Sequence, residues 1–465
     1  NINHIRFNPH LLHDLMILIS SYIIEQEGEE KLRTKFYKEE TFCHIEKDLN
    51  IVRSELGSKD LDRWGLYTTS TNPSSHIPTY LRQRVNAEQC TGAWAKFYEI
   101  LATFPALTSP TAEGKFCSLH LCEAPGAFVC ALNHYLQTNY NEEVQRVPIS
   151  SLEIDNTEKS NLAPSPEDVT WVWTASTLQP SPASFNENFL RYTYDYWEFG
   201  TDGTGNILKE ENIRHFWRIS QICGGYDLVT ADGGVDCSEA WADQEIMVFP
   251  LKVCEVLSAL GSLKDGGHLV IKMFTCFQTS TRGLLYFLTC SFEEVKIIKP
   301  ECSKPGNAEI YIVCLLKKPL VLEDLNNFLS TFKQTDGKSK LSDSKQKPPD
   351  STEETTPRPK RQKTCETVVQ PTTNHLEFPS LVSTFEYIST LAPNEFMDML
   401  CSCSEQLSKT NIETIKTNLR LFEDESDSSL HSTQEQKAQC GMCFVARCNI
   451  CYLPQNLKIG YTPSK

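Results

Sequence analysis

The alternation of strand-like and helix-like segments between residues 118 and 316 restricts the fold more than any other feature of the sequence. Short apolar runs rich in β-branched and aromatic residues occur at 118–122, 170–174, 226–230, 268–274, 294–298 and 310–316. Segments with helical periodicity lie between several of them. Strands that alternate with helices favour a parallel sheet with helices on both faces. We therefore predict an α/β fold built on a doubly wound, mostly parallel sheet.

The intervening segments predict helices at 128–137, 239–260 and 282–288. The second of these contains Pro250, and a proline inside a helix removes a main-chain donor and clashes with the preceding turn. We expect this helix to be interrupted or bent there. The pair Gly266-Gly267 is expected to turn the chain into the strand at 268–274.

The segments outside this alternation differ in composition. Residues 1–75 show helical spacing of apolar and charged residues and are predicted to form a helical N-terminal region. The sheet domain is predicted at 76–320. The same helical spacing at 80–104 predicts one long helix at the start of that domain. Residues 321–377 are rich in Lys, Ser, Asp, Thr, Pro and Gln and are predicted to be a disordered linker. Helical periodicity returns in 378–465, the predicted C-terminal helical region.

The net charge limits how this chain can bind RNA or a membrane. A net charge of −16 provides no global attraction to RNA or to an anionic membrane, so nucleic acid must bind through a local basic patch. No apolar stretch reaches the roughly 20 residues that cross a bilayer, and no signal-peptide pattern opens the sequence. The basic run at 357–363 is equally compatible with a solvated charge cluster and a nuclear localisation signal. We expect no membrane contact and a location in the nucleus and cytoplasm.

The 19 cysteines are spread along the chain, which is typical of reduced intracellular thiols rather than a disulfide framework. Cys440, Cys443, Cys448 and Cys451 form a C-x2-C-x4-C-x2-C pattern that is compatible with zinc. The central gap is much shorter than the roughly 15–20 residues of common zinc ribbons. The same spacing would place all four cysteines on one face of a helix, and we prefer this structural interpretation. We predict no metal site.

Two turns that follow predicted strands are candidate ligand-binding elements. Gly126 lies between the strand at 118–122 and the next helix, and a glycine there allows close approach of the main chain to a ligand. Asp232 follows the strand at 226–230 and precedes two glycines. Open α/β sheets bind ligands at the carboxyl ends of their strands. Taken alone, an ordinary turn is the better explanation of Gly126 and an equal one for Asp232.

Lys272 is harder to explain structurally, because it lies inside the apolar strand at 268–274 and burying an ammonium group is costly unless it is paired. The sequence therefore favours a functional role for this lysine. Lys96 lies on an amphipathic helix, where a solvated lysine is the more common case. Glu309 stands at the start of the strand at 310–316, where an ordinary surface glutamate is an equally good interpretation.

Together, the order and spacing of Lys96, Asp232, Lys272 and Glu309 resemble the Lys-Asp-Lys-Glu tetrad of the FtsJ-type RNA 2′-O-methyltransferases. The Ala-Pro-Gly-Gly-Trp loop of that family is similar to residues 124–128. Its Lys-Pro, Ser-Arg and Glu-x-Tyr motifs are matched by Lys299-Pro300, Ser303-Lys304 and Glu309-Ile310-Tyr311.

This resemblance implies an enzyme that uses S-adenosyl-L-methionine, with Lys272 taking the proton from a ribose 2′-hydroxyl. A lysine accepts a proton only when neutral, and its ordinary pKa is about 10.4. Burial and the Lys96 cation would lower that pKa, whereas Asp232 and Glu309 would raise it. The sequence leaves open which effect is larger.

The resemblance also implies a set of cofactor-binding residues, namely Gly126, Ala127, Phe128, Trp171 and Asp232. The family's second glycine in the loop is Ala127 here. The strand around Trp171 lacks the acidic residue that commonly binds the ribose of the cofactor.

A longer set of motifs is similar to the branch of this family that forms cap 2 on eukaryotic messenger RNA. These motifs are at 85–91, 93–97, 123–128 with 132–136, 199–200 with 204–207, and 272–275. Within them, Asn206 stands where the branch usually has Asp. The resemblance covers about 35–320 and implies methylation of the second transcribed nucleotide of capped mRNA. It also implies a second, non-catalytic methyltransferase-like domain, which we do not expect within these 465 residues. The alternatives are a catalytically silent RNA-binding or scaffold protein and a 2′-O-methyltransferase for another RNA.

Overall fold

The structure is a computed structural model. It describes residues 39–109, 114–140, 144–152, 169–179, 187–237, 241–330, 332, 378–423 and 434–460. The predictions for residues 1–38 and for most of the linker, from 333 to 377 with its basic run, lie outside the described residues. The start of the predicted linker, at 321–330, is not disordered, because Leu322–Ser330 forms a helix that buries Leu325, Phe328 and Leu329.

The described residues contain a seven-stranded sheet in the order β2-β3-β1-β4-β5-β7-β6. β7 is antiparallel to both of its neighbours, and the other pairings are parallel. The prediction of a mostly parallel, doubly wound sheet is confirmed. The strands are β1 (Lys115–Leu121), β2 (Val144–Pro148), β3 (Val169–Ala175), β4 (Tyr226–Ala231), β5 (Leu263–Met273), β6 (Phe292–Ile298) and β7 (Ile310–Lys317).

Helices flank the sheet and extend beyond it at both ends of the described chain. They are α1 (Glu39–Ser54), α2 (Leu61–Thr71), α3 (Ile77–Arg84), α4 (Gly92–Thr103), α5 (Ala127–Asn139), α6 (Glu187–Tyr192), α7 (Glu210–Ser220), α8 (Gln244–Ser262), α9 (Thr279–Ser291), α10 (Leu322–Ser330), α11 (Phe378–Thr390), α12 (Asn394–Glu423) and α13 (Gln434–Arg447). No described helix is both long and apolar enough to span a bilayer.

The chain order reverses between β1 and β4, which lie side by side in the middle of the sheet. From β1 the chain leads to β2 and β3 on one side, and from β4 to β5 on the other. A crevice opens outside the carboxyl ends of the strands at such a reversal, and ligands bind there in open α/β sheets. The topology therefore places the candidate site beyond Leu121 and Ala231.

The edge strand β2 is absent from the sequence prediction. It contains two valines separated by Gln145 and Arg146. Val144 is buried, but the other side chains are exposed or only partly buried. An edge strand has one neighbour and does not need the continuous apolar pattern of a central strand. The predicted second strand at 170–174 corresponds to β3, which lies between β2 and β1.

The prediction of one helix over 80–104 is wrong, because α3 ends at Arg84 and α4 begins at Gly92. In the connecting loop Asn86 and Gln89 adopt left-handed backbone angles, with φ of 58° and 45°. The loop also binds the C-terminal segment, since Asn86 Nδ2 donates a hydrogen bond to Leu453 O at 2.8 Å. This contact joins parts of the chain that local periodicity cannot relate.

The predicted interruption at Pro250 is also wrong, because α8 continues through it, whereas the alternative of a bend stays a prediction. A proline leaves the carbonyl of residue i−4 without its helical partner. Here that residue is Ile246, which is 53% exposed, so water can solvate the carbonyl. The pair Gly266-Gly267 lies inside β5 as an irregularity of the pairing: Tyr226 pairs with Leu263, whereas Leu228 pairs with His268.

The helices after the linker share the core of the sheet. Phe385 of α11 is fully buried, and its ring contacts those of Phe249, Phe287 and Phe328. On the other face Phe444 of α13 packs in the cluster that includes α4 and α5. The domain division at residues 320 and 378 stays a prediction, but the described residues on both sides of it pack into common cores.

Candidate active site

Asp232 and Lys272 meet at the carboxyl edge of β4 and β5. Lys272 is the penultimate residue of β5, and Asp232 directly follows β4. Lys272 Nζ donates a hydrogen bond to Asp232 O at 2.7 Å and lies 3.2 Å from Asp232 Oδ1. Tyr311 Oη, from the facing position on β7, donates to the same Oδ1 at 3.1 Å. The side chains of Lys272 and Asp232 are 13% and 19% exposed, so the amine and the carboxylate remain accessible at the edge of the sheet.

The charge state of Lys272 follows from these neighbours. Burial lowers its pKa, but the carboxylates of Asp232 and Glu309 more than offset burial, and the net pKa is raised above its ordinary value. The attraction of the two carboxylates is therefore larger than the effect of burial. The Lys272 side chain is an ammonium group at neutral pH.

Lys96 and Glu309 form the second pair of the predicted tetrad. Lys96 lies on α4 and forms an ion pair with Glu309 Oε1, and each side chain is 15% exposed. Glu309 immediately precedes β7, whose Ile310 pairs with Met273 of β5. The structure thus brings Lys96, Asp232, Lys272 and Glu309 to one region at the carboxyl edge of β5.

The loop that carries Glu309 is held from two directions. Lys299 Nζ donates to Asn307 O at 2.6 Å and to Glu309 O at 2.9 Å. Burial lowers the pKa of Lys299 to about 8, against the attraction of Glu309. From α12, the Asn411 side-chain nitrogen donates to Pro305 O at 2.6 Å and to Asn307 O at 3.1 Å. Neither residue was predicted to matter for the site, and Lys299 was visible only as part of a family motif.

The loop after β1 leads into α5 at the carboxyl end of the strand. Gly126 has φ of 104° and precedes α5, and a β-carbon built there would lie 2.5 Å from Phe189 Cε1. Both facts require glycine at this position. Glu123 Oε1 accepts hydrogen bonds from Phe128 N and Val129 N at 2.8 and 3.1 Å.

Glu123 was quoted in the motif but not predicted as a site residue. Burial raises its pKa to about 8, and Asp232 adds to the shift while the two N–H donors oppose it. A carboxylate that follows a strand and precedes a helix start was the signal available in the sequence, since first-turn N–H groups need an acceptor.

The structure does not bring all the predicted cofactor residues to the crevice. Phe128 is 1% exposed and stacks on Phe97 with ring centroids 4.3 Å apart, and Ala127 is 4% exposed. Trp171 is fully buried, and its Nε1 donates to Ser118 Oγ at 2.9 Å. Trp171 lies in the first half of β3, away from the carboxyl end at Ala175, so its indole does not reach the crevice.

The residues that do lie at the carboxyl end of β3 belong to other motifs. Glu198 N donates to Ala175 O at 2.8 Å, and Gln179 N donates to Thr204 O at 2.6 Å. These bonds close the loop at 198–206 over the end of β3. The glycine-containing motifs at 199–200 and 204–207 were the sequence signal for this wall of the crevice.

The four C-terminal cysteines do not share one helix face. α13 ends at Arg447, and Asn449 has φ of 50°, so Cys448 and Cys451 lie beyond the helix that carries Cys440 and Cys443. The single-helix interpretation is wrong because this turn redirects the chain. Within the part of the chain that the structure describes, no group of three or more His, Cys, Asp or Glu side chains converges as a metal site.

Comparison with known proteins shows which family the sheet domain is similar to. Residues 91–317 match the FtsJ-like methyltransferase model. The cap-specific mRNA (nucleoside-2'-O-)-methyltransferase 2 of Danio rerio is 41% identical over 279 residues, which are 58% of this chain and 34% of that protein. The proteins of the same name from Pongo abelii and Drosophila melanogaster are each 36% identical, over 63% and 62% of this chain and 36% and 38% of their own lengths.

Each match thus spans about a third of the relative's length. The family match contains all four members of the tetrad and both crevice loops, at Gly126 and Asp232. Residues 91–317, just under half of the chain, are similar to the FtsJ-like methyltransferases.

Proposed function

We propose that this protein transfers a methyl group from S-adenosyl-L-methionine to the ribose 2′-hydroxyl of the second transcribed nucleotide of capped mRNA, converting cap 1 to cap 2. The observation that supports it most is Lys272, an ammonium at the end of a buried strand, paired with Asp232 and near the Lys96–Glu309 pair. The names of the relatives support the choice of substrate. Capped mRNA occurs in the nucleus and cytoplasm, and both are the proposed locations.

The crevice fits the proposed cofactor. S-adenosylmethionine carries a sulfonium and an ammonium cation, and the carboxylate of Asp232 lies at the carboxyl edge of β4, where it can attract a cation. Gly234 leaves space beside the amine, since a β-carbon there would lie 3.7 Å from Lys272 Nζ. When bound, the cofactor supplies a methyl group that is already activated for transfer.

The side chains of the tetrad hold the ribose and manage its proton. Lys272 Nζ orients the 2′-oxygen. Asp232 holds Lys272 in place and itself accepts a hydrogen bond from Tyr311 Oη. The hydroxyl proton passes to Lys272 Nζ when that amine is neutral. Because the pKa of Lys272 is raised, the neutral amine is the minor form at pH 7 and the rate rises with pH. Orientation alone can supply about 7–11 kcal/mol in favourable cases.

The test uses labelled S-adenosylmethionine with RNAs that carry cap 0, cap 1 or no cap, and with uncapped ribosomal and transfer RNA. We expect label on the second nucleotide of cap 1 RNA. Lys272→Met should lower kcat about 10²–10⁴-fold, whereas Lys47→Met, at an exposed position of α1, should leave it unchanged. Transfer only to another RNA would replace the substrate, and cofactor binding without transfer would support the silent scaffold.

A further inference from the structure

A fully buried ion pair lies directly behind the site on α8. Lys252 Nζ and Glu255 Oε2 are 2.8 Å apart, and their side chains are 1% and 0% exposed. Burying both charges carries a desolvation cost that their attraction commonly fails to exceed, so such a pair is weak evidence for stability. The hydrogen bonds that Lys252 and Glu255 form with the main chain indicate a role other than stabilisation.

Both members of the pair bind the main chain of one residue, Gly233. Lys252 Nζ donates to Gly233 O at 2.8 Å, and Glu255 Oε1 accepts from Gly233 N at 2.9 Å. The approach is close, because a β-carbon built at Gly233 would lie 2.2 Å from Glu255 Oε1 and 3.1 Å from Cys122 Sγ. We name the Lys252–Glu255 pair with Gly233 the α8 clamp.

The clamp acts on the peptide group that faces the catalytic lysine. Gly233 N belongs to the Asp232–Gly233 peptide, and the carbonyl of this peptide is Asp232 O, which accepts from Lys272 Nζ at 2.7 Å. In a planar trans peptide the N–H and C=O point in opposite directions. Holding the N–H at Glu255 therefore aims the carbonyl oxygen at Lys272.

We propose that Lys252 and Glu255 are positioning residues of this methyltransferase, which orient the Asp232–Gly233 peptide so that its carbonyl holds Lys272 Nζ at the reacting 2′-oxygen. The inference rests on the proposed function. Lys252 orders Glu255 and fixes the far side of Gly233, and Glu255 sets the peptide plane. Neither side chain touches the crevice.

The first test separates positioning from folding. Replacing both members of a buried pair by apolar residues is often neutral for stability, so Lys252→Met/Glu255→Met should fold and unfold cooperatively. We expect kcat on cap 1 RNA to fall about 10–100-fold, since misplacement by about 1 Å can cost 100-fold, with KM for RNA unchanged. The matched control is Lys317→Met/Asp265→Asn, which removes another ion pair and should keep wild-type kcat. Wild-type kcat in the folded double variant overturns the proposal.

The second test compares Glu255→Gln with Glu255→Met and does not depend on the double variant folding. Glutamine keeps an acceptor for Gly233 N–H, so we expect it to retain most of kcat, whereas methionine should not. Hydrogen exchange at the Gly233 amide gives a readout independent of activity: slow in wild type and Glu255→Gln, fast in Glu255→Met. Equal loss of kcat in both variants, or fast exchange in wild type, contradicts the clamp. An inactive wild type with a slowly exchanging amide contradicts only the proposed function.

Discussion

The two halves of the candidate tetrad are built in different ways. Asp232 and Lys272 stand at the ends of adjacent central strands, and hydrogen bonds from Lys272 and Tyr311 converge on Asp232. Lys96 and Glu309 come from a helix and a loop, and they meet only through their ion pair. The register of β4 and β5 and the α8 clamp position Asp232 and Lys272. Lys96 and Glu309 take their positions only when segments distant in sequence pack together.

The second half therefore depends on more of the chain. The Glu309 loop is held by Lys299 from the end of β6 and by Asn411 from α12, which lies beyond the matched family domain. α12 also packs against α1 through a common cluster that includes Ile415 and Phe42. The comparison teaches that helices outside the sheet domain are part of the support of the site.

The largest effect that tests this comparison is the difference between the two lysines. We expect Lys96→Met to lower kcat about 10-fold, well short of the loss expected for Lys272→Met, because it removes one charge of a partly exposed pair. Combining Lys96→Met with Glu309→Gln should cost less than the sum of the two, since both remove the same interaction. Steady-state kinetics of Lys272→Met, Lys96→Met, Glu309→Gln and the double variant measures these losses of kcat. Fully additive losses in the double variant would mean that Lys96 and Glu309 do not act through their ion pair.

Asn411→Asp tests the reach of α12 into the site. The carboxylate keeps the shape of the amide but faces the carbonyl oxygens of Pro305 and Asn307 without a donor. We expect the free energy of unfolding to fall by about 1–3 kcal/mol and kcat to fall several-fold, by less than in Lys96→Met. Thr410→Ala, at an exposed position of the same helix, is the control. Unchanged kcat in Asn411→Asp would remove α12 from the support of Glu309.

The smallest effect is a change in how stability depends on pH. The pKa of Lys299 falls from 10.5 to about 8 on folding, so the unfolded state binds more protons between these values and the free energy of unfolding rises with pH across this window. The raised pKa of Lys272 acts in the opposite direction, with stability lost as pH rises through its folded value. Lys299→Met should flatten the rise between pH 8 and 10, measured by urea unfolding, whereas Lys47→Met should not. A wild-type slope in Lys299→Met would contradict the lowered pKa.

Local pattern was enough where the chain forms regular, central elements. The apolar run around Lys272 predicted β5, and its buried lysine pointed to function on cost alone. The half-polar edge strand β2 and the break between α3 and α4 escaped prediction, because both depend on neighbours that are distant in sequence. The family resemblance placed Trp171 at the cofactor, but its position along β3 buries it instead.

The sequence by itself determined the fold class and the strand that carries Lys272, because periodicity and the cost of burying charge are local properties. The other three members of the tetrad, Lys96, Asp232 and Glu309, were indicated by the family resemblance. Only the tertiary structure decided that these four residues meet and that Lys272 is held as an ammonium. It also revealed that Lys252, Glu255, Lys299 and Asn411 support them. These supports are hydrogen bonds to main-chain atoms, which every residue carries, so no pattern of side chains marks them in advance.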